Sequence, residues 1–223
     1  MKKIFMALLA CLPLMGMAQN TWELPKEETP QQNPRGKRDN ASEKKAKTGE
    51  NPKYLAGAVP EVDGKVVFKL EKDVPDMTAD DIYTKVYNAI LAITKEENQF
   101  PQSKIAVVNK SQHIVAARLK EWMVFQDSFL ALDRTIFNYT LIARADDGHL
   151  TLTMERLNYQ YEQERTDTNS GMAITAEQWI TDRQALTRKG NKLAKRSGKF
   201  RRKTIDRKDY IFGLVCKALN VKY

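Results

Sequence analysis

Four runs of alternating apolar and polar side chains constrain the fold of this chain more than any other feature. They lie at residues 103–110, 113–119, 135–145 and 149–161. Alternation with a period of two is typical of strands that bury one face. A further apolar cluster at residues 122–125 either extends the second run or follows a bulge, and the change of phase near Arg156 predicts a bulge in the fourth run. The turn signal Asp146-Asp147-Gly148 joins the last two runs as a hairpin.

A strand and a helix are predicted before these four runs. Residues 65–72 alternate in the same way, and the following Val74-Pro75 ends the strand. Thr78 is then followed by Asp80 and Asp81, a typical start of a helix. Apolar residues recur three or four positions apart up to about Thr94, as expected of an amphipathic helix.

The chain ends in helical patterns. Thr175 and Gln178 have the spacing of a capping box and predict a short helix that continues to about Leu186, with Gly190 as a terminator. The final helix is predicted to begin between residues 204 and 209. The fold class is therefore α+β, a five-stranded antiparallel sheet with helices on one face, in the order β-α-β-β-β-β-α.

The first 18 residues have the pattern of a secretory signal peptide. Lys2 and Lys3 precede a short apolar run, and small residues stand before Gln19. We therefore expect export to the periplasm, the outer envelope or the exterior, with no transmembrane anchor after cleavage. An alternative is a lipoprotein whose lipidated residue is Cys11, although the residues that follow Cys11 are apolar, where a lipoprotein tether is normally polar.

The remaining chain divides by composition. Residues 19–58 are polar and rich in Pro, Gln, Asn, Lys and Glu, which predicts a disordered linker whose end packs on the domain that follows. Residues 59–165 contain the predicted sheet domain, and residues 166–223 form a helical extension.

Positive charge is concentrated in this extension. Residues 183–208 contain twelve basic residues and one acidic residue, a net charge of +11, whereas the rest of the chain after residue 18 sums to −4. Arginine favours bidentate contacts with phosphate or carboxylate. Cations just before a helix also meet a dipole of the wrong sign, so an acidic neighbour or partner is expected there. The candidate residues for binding an anion or a partner are Lys199, Arg201, Arg202, Lys203 and Arg207.

The sequence predicts neither a catalytic site nor a cofactor or metal site. His113 and His149 each stand beside a turn without a second ligand at metal-binding spacing. Cys216 lies within an apolar helical pattern, where a reactive thiolate is disfavoured. Nucleophile, zinc and phosphate-loop motifs do not occur in the sequence.

Two segments carry a resemblance to a known family. Residues 53–68, and residues 179–182 with 198–206, resemble an exported Bacteroidota domain of unknown function with a TATA-binding-protein-like fold. The resemblance implies the same order of strands and helices. It supplies no catalytic or binding residues, and a fold shared with a DNA-binding protein does not imply nucleic-acid binding.

These features favour a non-catalytic interaction module of the cell envelope. Its unknown partner would be an acidic envelope component or a protein that contacts the sheet face or the basic C-terminal segment. Two alternatives remain open at this point: a carrier of lipid or another apolar ligand beneath a curved sheet, and a hydrolase with an unrecognised site.

Overall fold

The computed structural model describes residues 50–128, 131–161 and 171–223. The predicted signal peptide, Cys11, most of the predicted linker and the predicted boundary at residue 165 lie outside the described residues. Residues 50–58, the end of that linker, contain a 3-10 turn at Pro52–Tyr54 that packs on the C-terminal helix.

The strands form one large sheet and one small hairpin. The hairpin pairs β1 (Glu61–Val62) with β2 (Lys65–Val66). The sheet has the order β3-β7-β6-β5-β4. The short β8 pairs with the same edge of β7 as β3 does, but farther along β7. Its strands are β3 (Phe68–Asp73), β4 (Lys104–Asn109), β5 (Ile114–Ser128), β6 (Ala131–Asp146), β7 (His149–Tyr161) and β8 (Met172–Thr175).

The antiparallel meander confirms the predicted fold class, with two refinements. The predicted strand at residues 65–72 is divided between β2 and β3, and β8 adds a short strand that the sequence did not predict. The apolar cluster at residues 122–125 extends the second run, because β5 is continuous through it, and the pairing shifts only at its end, between Val124 and Gln126. The bulge predicted in the fourth run is present, since the pairing of β7 shifts at Arg156.

Four helices accompany the strands. They are α1 (Ala79–Ile93), α2 (Ala176–Trp179), α3 (Asp182–Ala185) and α4 (Gly198–Ala218). Helix α1 begins as predicted, since the Thr78 side chain accepts a hydrogen bond from the Asp81 backbone N–H at 3.2 Å. The apolar stripe of α1 packs on β5 and β6, and α4 packs beside it.

Two helix predictions are wrong. The helix expected to continue to Leu186 is two four-residue helices, because the chain extends at Thr181 before α3 begins. The final helix begins at Gly198, at least six residues before the predicted start. A β-carbon at Gly198 would stand 2.7 Å from the Leu193 β-carbon, so the absent side chain lets the preceding loop fold against this helix.

A single hydrophobic cluster joins the sheet to α1 and α4. The predicted apolar faces of both helices are buried in it, including Ile82 and Ile90 of α1 and Ile211 and Val215 of α4. Burial of each such side chain contributes about 1.5–3 kcal/mol. Among the described residues, no helix combines the length and the apolar character needed to cross a membrane.

Candidate anion-binding surfaces

The twelve cations of residues 183–208 fall into two groups in the structure. Six belong to α4, and we call residues 199–208 the helix half of the basic segment. The other six belong to residues 183–196, which run from within α3 through the loop before α4 and which we call the basic loop. All five residues predicted to bind an anion are in the helix half.

Arg201 is completely buried and holds three parts of the chain together. Its guanidinium donates hydrogen bonds to the carbonyl oxygens of Tyr54 at 2.6 Å and Leu55 at 2.5 Å. It also donates to the carbonyl oxygen of Ile180 at 2.8 Å and to a carboxylate oxygen of Asp182 at 2.7 Å. The side chain of Arg201 is thus directed inward, where it ties the end of the predicted linker and the short helices to α4.

Arg207 forms a second buried ion pair. Its Nε lies 2.7 Å from Oε1 of Glu121, and its Nη2 lies 2.5 Å from Oε2 of Glu121 and 2.8 Å from Glu96. The Tyr139 hydroxyl donates to Glu121 at 3.2 Å, and burial raises the pKa of that phenol, which keeps it a donor. This buried cluster joins α4 to β5 and to the turn that follows α1.

Lys199 is also paired within the fold. Its ammonium lies 2.6 Å from Asp133 and 2.9 Å from the Tyr161 hydroxyl, against the rings of Phe125 and Phe200. Partial burial opposes its charge, but the contacts with Asp133 and Tyr161 raise the pKa of Lys199 overall. The ammonium group of Lys199 is therefore held beside the rings of Phe125 and Phe200.

The last two predicted residues are more accessible. Arg202 is exposed and lies 2.7 Å from Glu50, while Lys203 is half-buried and makes no ion pair with a carboxylate that the structure describes. The structure therefore does not bring the five predicted residues together on one exposed surface. Arg201 and Arg207 are internal, and Lys199 is paired.

The basic loop presents its cations differently. Its backbone is ordered by the pairing of Leu186 with Leu193, by the hydrogen bond from Thr187 N–H to the Lys192 carbonyl at 2.9 Å, and by Gly190, whose φ is +67°. All six of its cationic side chains are exposed, and none makes an ion pair with a carboxylate in the described part of the chain. They are Arg183, Arg188, Lys189, Lys192, Lys195 and Arg196.

One feature of the sequence could have indicated that the cations of the basic loop are unpaired. No acidic residue occurs between Arg183 and Thr204, so the cations from Arg188 to Arg196 have no carboxylate close to them in sequence. The Gly and Asn residues among them are typical of a surface turn. The denser run at residues 199–203 drew the prediction to the helix half instead.

The two histidines lie in separate exposed pairs. His113 lies 3.1 Å from Asp80, and His149 lies 2.9 Å from Asp73. Groups of three or more His, Cys, Asp or Glu side chains that could hold a metal are absent from residues 50–128, 131–161 and 171–223. Cys216 is buried in α4, and burial raises the pKa of its thiol.

Comparison with known proteins identifies the family but no activity. Residues 68–160 match the domain of unknown function DUF4468, described as having a TBP-like fold. No similar sequence was found among the curated proteins.

Two crystal structures are similar to this chain. A DUF4468 family protein from Bacteroides ovatus ATCC 8483 is 34% identical with a TM-score of 0.71, and the alignment covers 78% of this chain and 97% of that chain. A TBP-like protein from Parabacteroides distasonis ATCC 8503 has a TM-score of 0.56 at 17% identity, over 74% of this chain and 99% of that chain, and shows the fold alone. The resemblance predicted from the sequence is confirmed, and this chain belongs to the DUF4468 family of domains of unknown function with a TBP-like fold.

Proposed function

We propose that the protein is an exported, non-catalytic binding module of the cell envelope that contacts an acidic envelope component through its basic loop. The observation that carries this proposal is the set of six exposed cations on one ordered loop, without ion-pair partners among the described residues. Like charges concentrated in one short segment repel each other, and a polyanionic partner would relieve that repulsion.

The rest of the molecule supports a binding role over the two alternatives. The space between the sheet and the helices is filled by aromatic rings, with centroids 5.1 Å apart for Phe137 and Tyr159 and 5.2 Å apart for Tyr159 and Phe200. This packing argues against a carrier that holds an apolar ligand beneath the sheet. The buried carboxylate of Glu121 is engaged by Arg207, as expected for a group that stabilises the fold rather than one used in catalysis.

Export is part of the proposal and rests on residues 1–18. The anions available in such an envelope include lipid phosphates, acidic glycans and acidic proteins. Arginine and lysine occur together in the loop, and the guanidinium of Arg188 or Arg196 can bind a phosphate or carboxylate in a bidentate manner.

The test is capture of envelope components by the full-length protein from a detergent extract. The unaltered protein is compared with a charge-reversed loop variant, Arg188→Glu/Lys189→Glu/Lys192→Glu, at low and at high salt. The matched control is Lys85→Glu/Lys95→Glu/Lys110→Glu, which makes the same change in net charge at three exposed lysines outside the loop.

We expect the unaltered protein and the control to capture the same acidic component. The loop variant should retain about a tenth of it or less, and high salt should weaken capture. Equal capture by the loop variant and the control would show that the loop is not the binding surface. Signal-peptide function is checked separately, by the cellular fraction in which the processed protein is found.

A further inference from the structure

A groove crosses the face of the sheet that the helices leave uncovered. Arg118 and Lys120 on β5, and Asn138 and Thr140 on β6, alternate with the buried Leu119 and Tyr139 and therefore project from the opposite face. They line a cavity of about 970 Å³ that extends from Lys104 of β4 to the bulge of β7. A cavity of this size is at the upper end of the range for ligand sites.

The groove is cationic. Lys104, Arg118, Lys120 and Arg156 contribute to its lining, and no carboxylate lies among its described lining residues. Arg118 and Lys104 are exposed, face each other across β4 and β5, and make no ion pair with any residue that the structure describes. Glu155, which precedes Arg156 in sequence, lies 3.5 Å from Nε of Arg156.

The bulge places Arg156 at the end of this groove. Arg156 has a φ of +57°, a left-handed conformation that is costly for a long side chain and is concentrated at functional sites. The conformation is stabilised by Asn158, whose side-chain amide donates a hydrogen bond to the Arg156 carbonyl at 3.2 Å. Bulges of this kind redirect a side chain relative to a regular strand.

A second cavity adjoins the groove at Arg156. It has a volume of about 560 Å³ and shares Arg156 and Asn158 with the first, but its lining also includes Asp63, Glu155 and Glu177, so it is not cationic. The first cavity alone forms a cationic track, which runs from β4 to the bulge of β7. A track that spans four strands suits an elongated ligand rather than a single ion.

The polar groups of the groove select the class of ligand. An amide pair, Asn138 Nδ2 donating to Asn158 Oδ1 at 3.0 Å, lies between the cations, and Thr140 adds a hydroxyl beside it. Amides and hydroxyls of this kind exchange hydrogen bonds with sugar hydroxyls, because each group can both donate and accept. The cations can bind carboxylate or phosphate groups attached to the same chain.

Two other linear anions fit this groove less well. The track runs across β5, β6 and β7, whose backbone groups already pair with neighbouring strands, so an extended acidic peptide could not gain main-chain hydrogen bonds there. A single-stranded nucleic acid normally stacks its bases on aromatic rings, and the one ring among the described lining residues, that of Tyr139, is buried on the other face.

We propose that this sheet-face groove is a binding site for an acidic oligosaccharide, a linear chain of sugars that carries carboxylate or phosphate groups. The site uses no residue of the basic loop, so the proposal does not rest on the function proposed above.

The test is calorimetric titration of the full-length protein with defined probes. The acidic probes are tetragalacturonate and phosphorylated maltotetraose, and the comparison probes are neutral maltotetraose, tetraglutamate and a four-nucleotide single-stranded DNA. The groove variant is Arg118→Gln. Its matched control is Arg144→Gln, an exposed arginine on the same face of the sheet that lies outside the groove. Thermal unfolding of each variant verifies that the fold is retained.

We expect at least one acidic oligosaccharide to bind more tightly than neutral maltotetraose, with about tenfold weaker binding in Arg118→Gln and unchanged binding in Arg144→Gln. The loop variant Arg188→Glu/Lys189→Glu/Lys192→Glu should bind the probe as the unaltered protein does, which separates failure of the two proposals. No preference for either acidic oligosaccharide would overturn the inference. Equal effects of the two glutamine variants, or tighter binding of the peptide or the DNA, would overturn it as well.

Discussion

The two halves of the basic segment have the same charge content and opposite surroundings. Each half contributes six cations, yet five of the six in the helix half pair with a carboxylate, whereas none in the basic loop does so among the described residues. Lys203 is the exception in the helix half. The difference shows that density of charge along a sequence does not indicate whether a cation is available to a partner.

Distance along the chain explains why the halves differ. The carboxylates that pair with Arg201, Arg202 and Arg207 lie 19 to 152 residues away in sequence, and only the folded sheet and helices bring them close. Packing decides which cations meet them, because α4 turns Arg201 and Arg207 toward the core. The six cations of the basic loop are instead exposed to solvent.

The largest effect is expected for Arg207→Met, which tests whether the helix half is structural. The substitution leaves the carboxylate of Glu121 buried without its guanidinium, so the free energy of unfolding should fall by about 3–5 kcal/mol. Urea denaturation measures this change in the free energy of unfolding. The double variant Arg207→Met/Glu121→Leu should recover most of the loss, because it removes the uncompensated charge. A loss below about 1 kcal/mol in the single variant would contradict a structural role.

A smaller effect is expected for Arg201→Met. Four hydrogen bonds from the guanidinium are lost, and the end of the predicted linker loses its attachment to α4, so the free energy of unfolding should fall by about 2–4 kcal/mol. The adjacent Arg202→Met is the matched control. Its ion pair with Glu50 is on the surface and should contribute about 1 kcal/mol or less. Similar losses in the two variants would show that burial is not what separates them.

Lys199→Met should have a still smaller effect that depends on pH. Methionine keeps contact with the aromatic rings but loses Asp133 and Tyr161, at a cost of about 1–2 kcal/mol near neutral pH. Because folding raises the pKa of Lys199, its stabilisation is fully present below the unfolded value of 10.5 and is lost as the pH rises through the folded value. Unfolding free energies of both proteins at neutral and alkaline pH should therefore converge at alkaline pH. A constant difference would assign the effect to packing instead.

The fold was largely predictable from the sequence, because its signals are local. Alternation in the strands, the Thr78 cap and the turn before Gly148 each depend on a few neighbouring residues, and all three were confirmed. The short strand β8 was missed, since four residues with one buried side chain give almost no alternation. The start of α4 was missed for a different reason. Its buried face includes Arg201, Thr204 and Arg207, so the apolar stripe that normally marks a helix is interrupted by polar residues.

The candidate surfaces were only partly predictable. The concentration of charge is visible in the sequence, but its division into paired and unpaired halves depends on Glu50, Glu121 and Asp182, which are distant along the chain. The sheet-face groove gathers side chains from four strands, so only the register of the sheet places Arg118 near Asn138 and Asn158. The predicted bulge at Arg156 was the one feature of this groove that the local sequence indicated.

The smallest effect on the free energy of unfolding is expected for substitutions in the basic loop. In Arg188→Gln/Lys189→Gln/Lys192→Gln the free energy of unfolding should stay within about 0.5 kcal/mol of the unaltered value, because exposed cations without a described partner contribute little to folding. Any change should be a slight gain, since removal of like charges reduces their repulsion. Urea denaturation at low salt is the measurement, and Arg201→Met serves as the reference from the helix half. A loss above about 1 kcal/mol would show that the loop cations stabilise the fold, as those of the helix half do. The positive charge of the loop would then be explained by folding rather than by a partner.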